Sequence, residues 1–316
     1  MSMYRFRCWR VAFFLLVLSV VGCAAPLLHS QDANQQDSQT TPSLPQGKAK
    51  SGIVRFVALG DTGTGGTGQL AVAKQLVAFH DQRPYDMAIL LGDNVYPDGD
   101  PSELGEKFEK PYAELLRRGI RFQAVLGNHD IRLGRAAQIN YRLFNMGGRA
   151  YYSFAEGDGL IEIFALDSNR IDAEQLTWLE SALASSKTRW KIVIMHHPLY
   201  SSAQKHGSSR TLQSLLEPLF VRYGVSAVFA GHDHVYERTT PQKGIQYFVS
   251  GAGGQLRRGN INRQSPWWAA GNDSVHSFMY LEVTRERFSF WAVSEYGDVL
   301  DSGNLTRTPP PAEANK

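Results

Sequence analysis

Short apolar runs alternate with amphipathic segments between residues 53 and 293, and this alternation constrains the fold more than any other feature of the chain. The runs are apolar at nearly every position, and segments with helical leucine spacing, such as Ala173–Ser185, separate them. Continuous apolar runs between helices are typical of strands buried on both faces. The pattern therefore predicts an α/β fold in which two sheets pack face to face with helices outside, an αββα sandwich.

The element boundaries follow from the same pattern. We predict strands at Ile53–Leu59, Met87–Leu91, Phe122–Leu126, Ala150–Phe154, Leu160–Leu166, Trp190–Met195, Val225–Ala230, Tyr247–Val249, Phe278–Val283 and Phe288–Val293. We predict helices at Gln69–His80, Glu103–Arg117, Ala173–Ser185 and Thr211–Tyr223.

Composition excludes several classes of protein. The chain has 316 residues, of which 43% are hydrophobic and 20% charged, values that exclude disordered and fibrous proteins. The formal charge of +3 derives from three arginines within residues 1–22; without them the chain has 30 basic and 30 acidic residues. This balance gives no support to a nucleic-acid partner. The length allows two domains, and one large α/β domain fits equally well.

The first residues predict export. Residues 1–22 combine a basic start with an apolar run, Val11–Val21, that is too short to span a bilayer, which is typical of a signal peptide. The run ends in Gly22-Cys23, which resembles a bacterial lipobox and predicts lipidation of Cys23. No Asp follows Cys23, so we expect an outer-membrane lipoprotein, with a periplasmic protein cut by an ordinary signal peptidase as the alternative. A lipid anchor at Cys23 would be the sole membrane contact.

Three further segments complete the organisation. Residues 23–50 are rich in Gln, Ser, Thr, Asp and Pro and predict a flexible polar tether. Residues 51–306 are the predicted folded domain, and residues 307–316 a frayed tail.

Polar residues that can bind metals follow five of the predicted strands. The groups are Asp61-Thr62-Gly63, Gly92-Asp93-Asn94-Val95-Tyr96, Gly127-Asn128-His129-Asp130, Met195-His196 and Gly231-His232-Asp233-His234. Singly, such residues more often cap turns or satisfy core hydrogen bonds. Five such groups at five strand ends indicate one site, because ligands bind at the C-terminal edge of α/β sheets.

These five groups, in this order, resemble the motifs of purple acid phosphatases, a branch of the calcineurin-like metallophosphoesterases. The resemblance extends from about residue 53 to residue 254 and is closest to the short, tartrate-resistant type. Its most specific feature is Tyr96. Most relatives outside this branch have a histidine ligand at the position of Gly63, and here Tyr96 would supply the missing ligand. The resemblance implies an αββα metallophosphoesterase sandwich and an acid phosphatase.

The resemblance also implies two metal sites. Asp61, Tyr96 and His234 would bind the first metal ion, while Asn128, His196 and His232 would bind the second and Asp93 would bridge them. Carboxylates and a phenolate suit Fe(III) in the first site, whereas imidazoles and an amide suit Fe(II), Zn or Mn in the second. In the family the phenolate gives a charge-transfer colour.

The implied reaction is hydrolysis of a phosphate monoester by in-line attack of a metal-bound hydroxide, best at acidic pH. His129 and His206 resemble the family's histidines near the phosphate and would bind substrate and protonate the leaving group. A helix cap is the alternative for His129, and an exposed loop residue the alternative for His206. The expected substrate is a small phosphate ester.

Other residues support weaker expectations. We interpret His197 as structural, because it directly follows a candidate ligand. Asp130 and Asp233 are predicted to orient ligand histidines. The stretch Gly251–Asn272, with two arginines and two tryptophans, either rims the pocket or is a surface loop with a tryptophan packed inward.

Two other functions stay open at this point. The same fold and metals would serve a phosphodiesterase acting on nucleotides or lipid head groups. A non-catalytic scaffold lipoprotein predicts the loss of ligands, yet all seven are present. The sequence leaves the natural substrate, the second metal and the oligomeric state unassigned.

Overall fold

Residues 42–47 and 51–305 are described in a computed structural model of the chain. In this part of the chain the strands are β1 (Val54–Leu59), β2 (Met87–Leu90), β3 (Arg121–Ala124), β4 (Tyr152–Glu156), β5 (Ile161–Ala165), β6 (Trp190–Ile194), β7 (Ala227–Ala230), β8 (Tyr236–Thr239), β9 (Gln246–Ser250), β10 (Trp268–Asn272), β11 (Ser277–Val283), β12 (Phe288–Ser294) and β13 (Val299–Leu305). The α-helices are α1 (Thr67–Gln82), α2 (Ala113–Arg117), α3 (Asp130–Leu133), α4 (Arg135–Asn140), α5 (Ala173–Ser185) and α6 (Arg210–Arg222).

The strands form two mixed sheets, as predicted. The first sheet has the order β13-β12-β11-β1-β2-β3, and the second has the order β10-β8-β9-β7-β6-β5-β4. Strands β1, β2 and β3 are parallel, as are β5, β6, β7 and β9. Five of these strands, β1, β2, β3, β6 and β7, are followed by the five polar groups. The C-terminal ends of parallel strands bring together side chains from distant parts of the chain.

Four of the five residues of strand β6 are apolar, and their packing shows why. Trp190, Ile192 and Ile194 belong to a core that also contains residues of the first sheet. Val193 and the following Met195 belong to a second core with leucines of α5 and α6. Since side chains alternate between the two faces of a strand, β6 is buried on both faces.

One predicted helix is wrong. The segment predicted as a single helix, Glu103–Arg117, begins at the last residue of a 3₁₀ turn (Pro101–Glu103) and continues through a π-helical stretch (Gly105–Glu109) and α2. Pro111 lies between the last two and has no N–H to donate to a preceding carbonyl, so a continuous α-helix is interrupted there.

Part of the predicted tether contacts the domain. The indole Nε1 of Trp291 donates to Pro42 O at 2.9 Å, Gly47 N donates to Gln82 O at 3.0 Å, and Leu44 packs against the larger core. This differs from the expectation of a free tether through residue 50, because one leucine and two backbone groups find partners on the domain. The signal peptide, Cys23, the rest of the tether and the tail after residue 305 lie outside the described residues. In the described part of the chain, no helix has the length and apolarity needed to cross a bilayer.

Candidate metal centre

Three predicted ligands meet where β1 and β2 end and β7 is followed by a turn. The phenol oxygen of Tyr96 lies 3.1 Å from Asp61 Oδ1 and 3.3 Å from His234 Nε2. His234 Nε2 lies 3.5 Å from Asp61 Oδ1. The three donor atoms predicted for the first metal thus face a common point.

The second predicted set converges in the same way. His196 Nε2 lies 3.1 Å from Asn128 Oδ1 and 3.2 Å from His232 Nδ1. Asp93 Oδ1 lies 3.5 Å from His196 Nε2. Donor atoms of Asp61, Asp93 and His196 all lie within 4.8 Å of one another, so Asp93 is close to a member of each set.

Unusual backbone conformations aim these side chains. Asp61, Asp93 and His232 have φ angles of 56°, 53° and 70°, in the left-handed region that is unfavourable for non-glycine residues. Such strain is typical of functional sites, where the surrounding structure holds it in place.

Two glycines allow the turns to approach closely. A Cβ atom on Gly127 would lie 2.1 Å from Asp93 Oδ1, and one on Gly92 would lie 2.6 Å from His196 Nδ1. Gly92 also has φ +86°. No larger residue fits at either position without displacing a candidate ligand.

The electrostatics of the centre fit bound cations. Asp61 and Asp93 are 0% and 1% exposed, and among the described residues no lysine or arginine forms an ion pair with either. Burial, followed by the charge of Asp93, raises the pKa of Asp61 well above its usual value. Buried carboxylates without a cationic partner are costly, so a metal ion would supply the missing positive charge.

Burial also disfavours charge on the neighbouring phenol and imidazoles when no cation is bound. Burial, and then the charge of Asp61, raises the pKa of the Tyr96 phenol far above its usual value. Burial lowers the pKa of His196 and His232, and it lowers the pKa of His234 to about 4 with a further contribution from Arg257. Neutral imidazoles are the form that binds metals, so these three histidines are suited to act as ligands.

The two histidines predicted to act on substrate contact different candidate ligands of this centre. The backbone N–H of His129 donates to Asp93 Oδ1 at 2.9 Å, and its Nε2 lies 4.0 Å from Asp93 Oδ2. The ring of His206 stacks near His232, with 4.2 Å between ring centroids. Burial, followed by the charges of Arg257 and Lys205, lowers the pKa of His206.

A calcineurin-like phosphoesterase model matches residues 54–236, which is more than half of the chain. The chain belongs to this family. Tartrate-resistant acid phosphatase type 5 of Rattus norvegicus is 28% identical, covering 85% of this chain and 95% of the relative. Purple acid phosphatase 17 of Arabidopsis thaliana is 32% identical, covering 68% of this chain and 72% of the relative. The phosphoesterase is therefore an enzyme of the purple acid phosphatase type.

A solved structure agrees on the fold. Purple acid phosphatase PPD1 from yellow lupin (Lupinus luteus) seeds superposes with a TM-score of 0.70 at 21% identity, covering 82% of this chain and 54% of that chain. The purple acid phosphatases depend on two metal ions, and this phosphoesterase has candidate ligands for them.

The prediction for Asp130 and Asp233 is wrong. Asp130 accepts hydrogen bonds from the backbone N–H groups of Asn94, Val95 and Gly127, and so joins two of the ligand-bearing turns. Asp233 Oδ2 accepts from Gly207 N at 3.2 Å. Among the described contacts, His196 Nδ1 pairs instead with Leu91 O, 2.9 Å away, so a backbone carbonyl orients that ring.

Sequence reasoning also undervalued His197. Its ring lies 4.4 Å from that of His232, and its donor atom lies within 4.8 Å of those of His196 and His232. The position beside a ligand suggested that its side chain turns away. The left-handed conformation of His232, which sequence does not reveal, brings that ring toward His197.

The loop carrying His206 is held by two segments far apart in sequence. Ser202 N donates to both carboxylate oxygens of Glu237, at 2.9 and 2.8 Å. Lys205 N donates to Asn260 Oδ1 at 3.0 Å, and Trp267 Nε1 donates to Ser201 O at 3.1 Å. Each interpretation of Gly251–Asn272 holds for part of the stretch: Arg257 N donates to His234 O at 2.9 Å beside the candidate centre, whereas Trp267 packs against the His206 loop.

Proposed function

We propose that this chain is an exported binuclear-metal phosphatase that hydrolyses small phosphate monoesters, best at acidic pH. The observation that carries the proposal is the convergence of two sets of three donor groups, with Asp93 close to a member of each set. When bound, two metal ions would lower the pKa of an attacking water and neutralise phosphate charge.

The chain's own residues would position the substrate and supply a proton. His129 contacts Asp93 and His206 contacts His232, and both have exposed surface that a phosphate can reach. We assign them substrate binding and protonation of the leaving alcohol, the step that a general acid assists.

We propose Fe(III) for Asp61, Tyr96, His234 and the shared Asp93, because carboxylate and phenolate oxygens are hard donors. The imidazole-rich second set suits Fe(II), Zn or Mn. Iron-loaded protein should be pink or violet, and Tyr96→Phe should bleach it, whereas Tyr85→Phe, a buried tyrosine bonded to Leu76 O, should keep the colour. A colourless wild type that contains Fe(III) would contradict the assignment.

Metal analysis together with ester hydrolysis tests the function. Wild-type protein should contain two metal ions per chain and hydrolyse phosphate monoesters with a maximum below pH 7, faster than it hydrolyses diesters. Faster hydrolysis of diesters would establish a phosphodiesterase, and a metal-loaded protein inactive on both would establish a non-catalytic role.

Export is proposed from residues 1–23 alone. Cys23→Ser should move the protein from the membrane fraction to the soluble fraction of a bacterial host. An unmodified N-terminus beyond Cys23, measured by mass spectrometry of the mature wild type, would exclude lipidation.

A further inference from the structure

A cleft of about 610 Å³ opens beside the candidate metal centre. Its walls come from the segment after β5, the loop after β6 and the first turns of α6. His206 and His232 line the cleft and also belong to the centre, so the two spaces are continuous. Pockets of about 300–1,000 Å³ typically bury an organic ligand. The cleft is therefore larger than a phosphate group requires.

The serines of the cleft are occupied by the protein itself. Ser168 Oγ accepts from the backbone N–H groups of His196 and His197, at 3.2 and 2.9 Å. Ser208 Oγ donates to Ser201 O at 3.0 Å. Ser209 Oγ accepts from Leu212 N at 3.3 Å, where it caps α6. These hydroxyls stabilise the walls and offer little hydrogen bonding to a polar ligand.

Part of the remaining lining is apolar, whereas Asn169, Lys205 and Thr211 add polar groups elsewhere in the cleft. Ile171, Pro198, Leu212 and Leu215 line the cleft. Leu212 is 7% exposed and belongs to the core under α5 and α6, and Ile171 packs against that core, so this wall is anchored. Leu215 is 36% exposed, which leaves apolar surface open to water on one side of the cleft.

We propose that this cleft binds the apolar alcohol half of the phosphate ester, which makes phosphate monoesters of long-chain alcohols the preferred substrate class. This inference rests on the proposed function, because the phosphate half is placed at the metal centre. The continuity of the cleft with His206 and His232 identifies its occupant as the remainder of the same substrate. Burial of the chain against Ile171, Leu212 and Leu215 supplies the selectivity.

A series of n-alkyl phosphates from methyl to octyl tests the proposal. The acidity of the leaving alcohol changes little along the series, so chain length isolates binding in the cleft. For the wild type, kcat/KM should rise by about two- to fourfold per methylene over the first few carbons. Leu215→Asp should lower kcat/KM for octyl phosphate about tenfold or more and leave that for methyl phosphate within about twofold.

Leu70→Asp is the matched control, since Leu70 is a 47% exposed leucine on α1 outside the cleft. Leu70→Asp should leave kcat/KM unchanged for both methyl and octyl phosphate. If Leu215→Asp does not fold, Leu215→Ser provides the same comparison with a smaller perturbation. Equal losses for methyl and octyl phosphate, or a wild-type kcat/KM independent of chain length, would overturn the proposal.

A binding measurement separates this inference from the proposed function. Octylphosphonate should bind metal-loaded wild type at least tenfold more tightly than methylphosphonate, measured by titration calorimetry, and Leu215→Asp should remove most of that difference. Equal affinities would refute the cleft as an apolar subsite even in an active enzyme. Absence of ester hydrolysis with the affinity difference intact would refute the phosphatase function alone.

Discussion

At the scale of single residues, Asp93 is the side chain on which both predicted metal sites depend. It is buried, held in a left-handed conformation and close to a member of each donor set. If Asp93 bridges the two sets as predicted, its removal should affect both ions rather than one.

Asp93→Ala should therefore lose both metal ions and nearly all phosphatase activity, measured by elemental analysis and ester hydrolysis. Asp158→Ala is a matched control, because Asp158 has the same φ of 53° on an exposed turn. It should keep two ions and full activity. Two ions retained in Asp93→Ala would exclude the bridging role.

His206 gives a second prediction at this scale. If it protonates the leaving alcohol, His206→Ala should lower kcat/KM for methyl phosphate by about 10²–10⁴-fold. The loss for p-nitrophenyl phosphate should be smaller, because its leaving group needs little protonation. Metal content should not change. An equal loss on both esters would mean that His206 binds phosphate or orders the loop, without donating a proton.

At the scale of elements, the loop 201–208 carries His206 and is fastened by β8. Glu237 in β8 is fully buried, and both its oxygens accept from Ser202 N. Sequence reasoning did not predict strand β8. Its Glu237 thus holds the loop 201–208, which follows β6.

Glu237→Gln should loosen this loop, since an amide accepts with one oxygen where the carboxylate accepts with two. We expect a destabilisation of about 1–3 kcal/mol and a loss of activity that is larger for methyl than for p-nitrophenyl phosphate. Glu286→Gln, an exposed glutamate between β11 and β12, should leave both properties unchanged. A destabilised variant with an unchanged ratio of the two ester activities would limit Glu237 to a structural role.

At the scale of the whole molecule, the candidate centre joins the two sheets. Asp61, Asp93 and Asn128 follow strands of the first sheet, whereas His196 and His232 follow strands of the second. Metal ions bound to both groups would cross-link the sheets and stabilise the folded chain relative to the unfolded chain.

Removal of the metals with a chelator should accordingly lower the Tm. A ligand present at 100 times its Kd stabilises by about 2.7 kcal/mol, and a domain of this size loses about 2–4 °C per kcal/mol, so we expect about 5–10 °C. Scanning calorimetry with and without chelator measures the shift. Asp93→Ala should show no shift, and an unchanged wild-type Tm would argue against metals bound to both sheets.

The sequence by itself determined that the fold contains two sheets, and its motifs, through the family resemblance, indicated the candidate donor set. Apolar runs such as Trp190–Ile194 reveal burial on both faces through local composition, and the five polar groups are contiguous motifs at strand ends. The parallel strand ends then bring those motifs together, so little tertiary detail was needed to anticipate the centre.

Only the tertiary structure decided the residue roles that depend on contacts with partners distant in sequence. The roles of Asp130 and Asp233, the contact of His197 with His232 and the support of the His206 loop by Glu237 are set by which turns meet. The apolar wall of the cleft arises in the same way, because Ile171 and Leu215 face a common space only after α6 packs beside the segment that follows β5. Local patterns encode burial and chain direction, whereas these contacts depend on side-chain directions that packing sets.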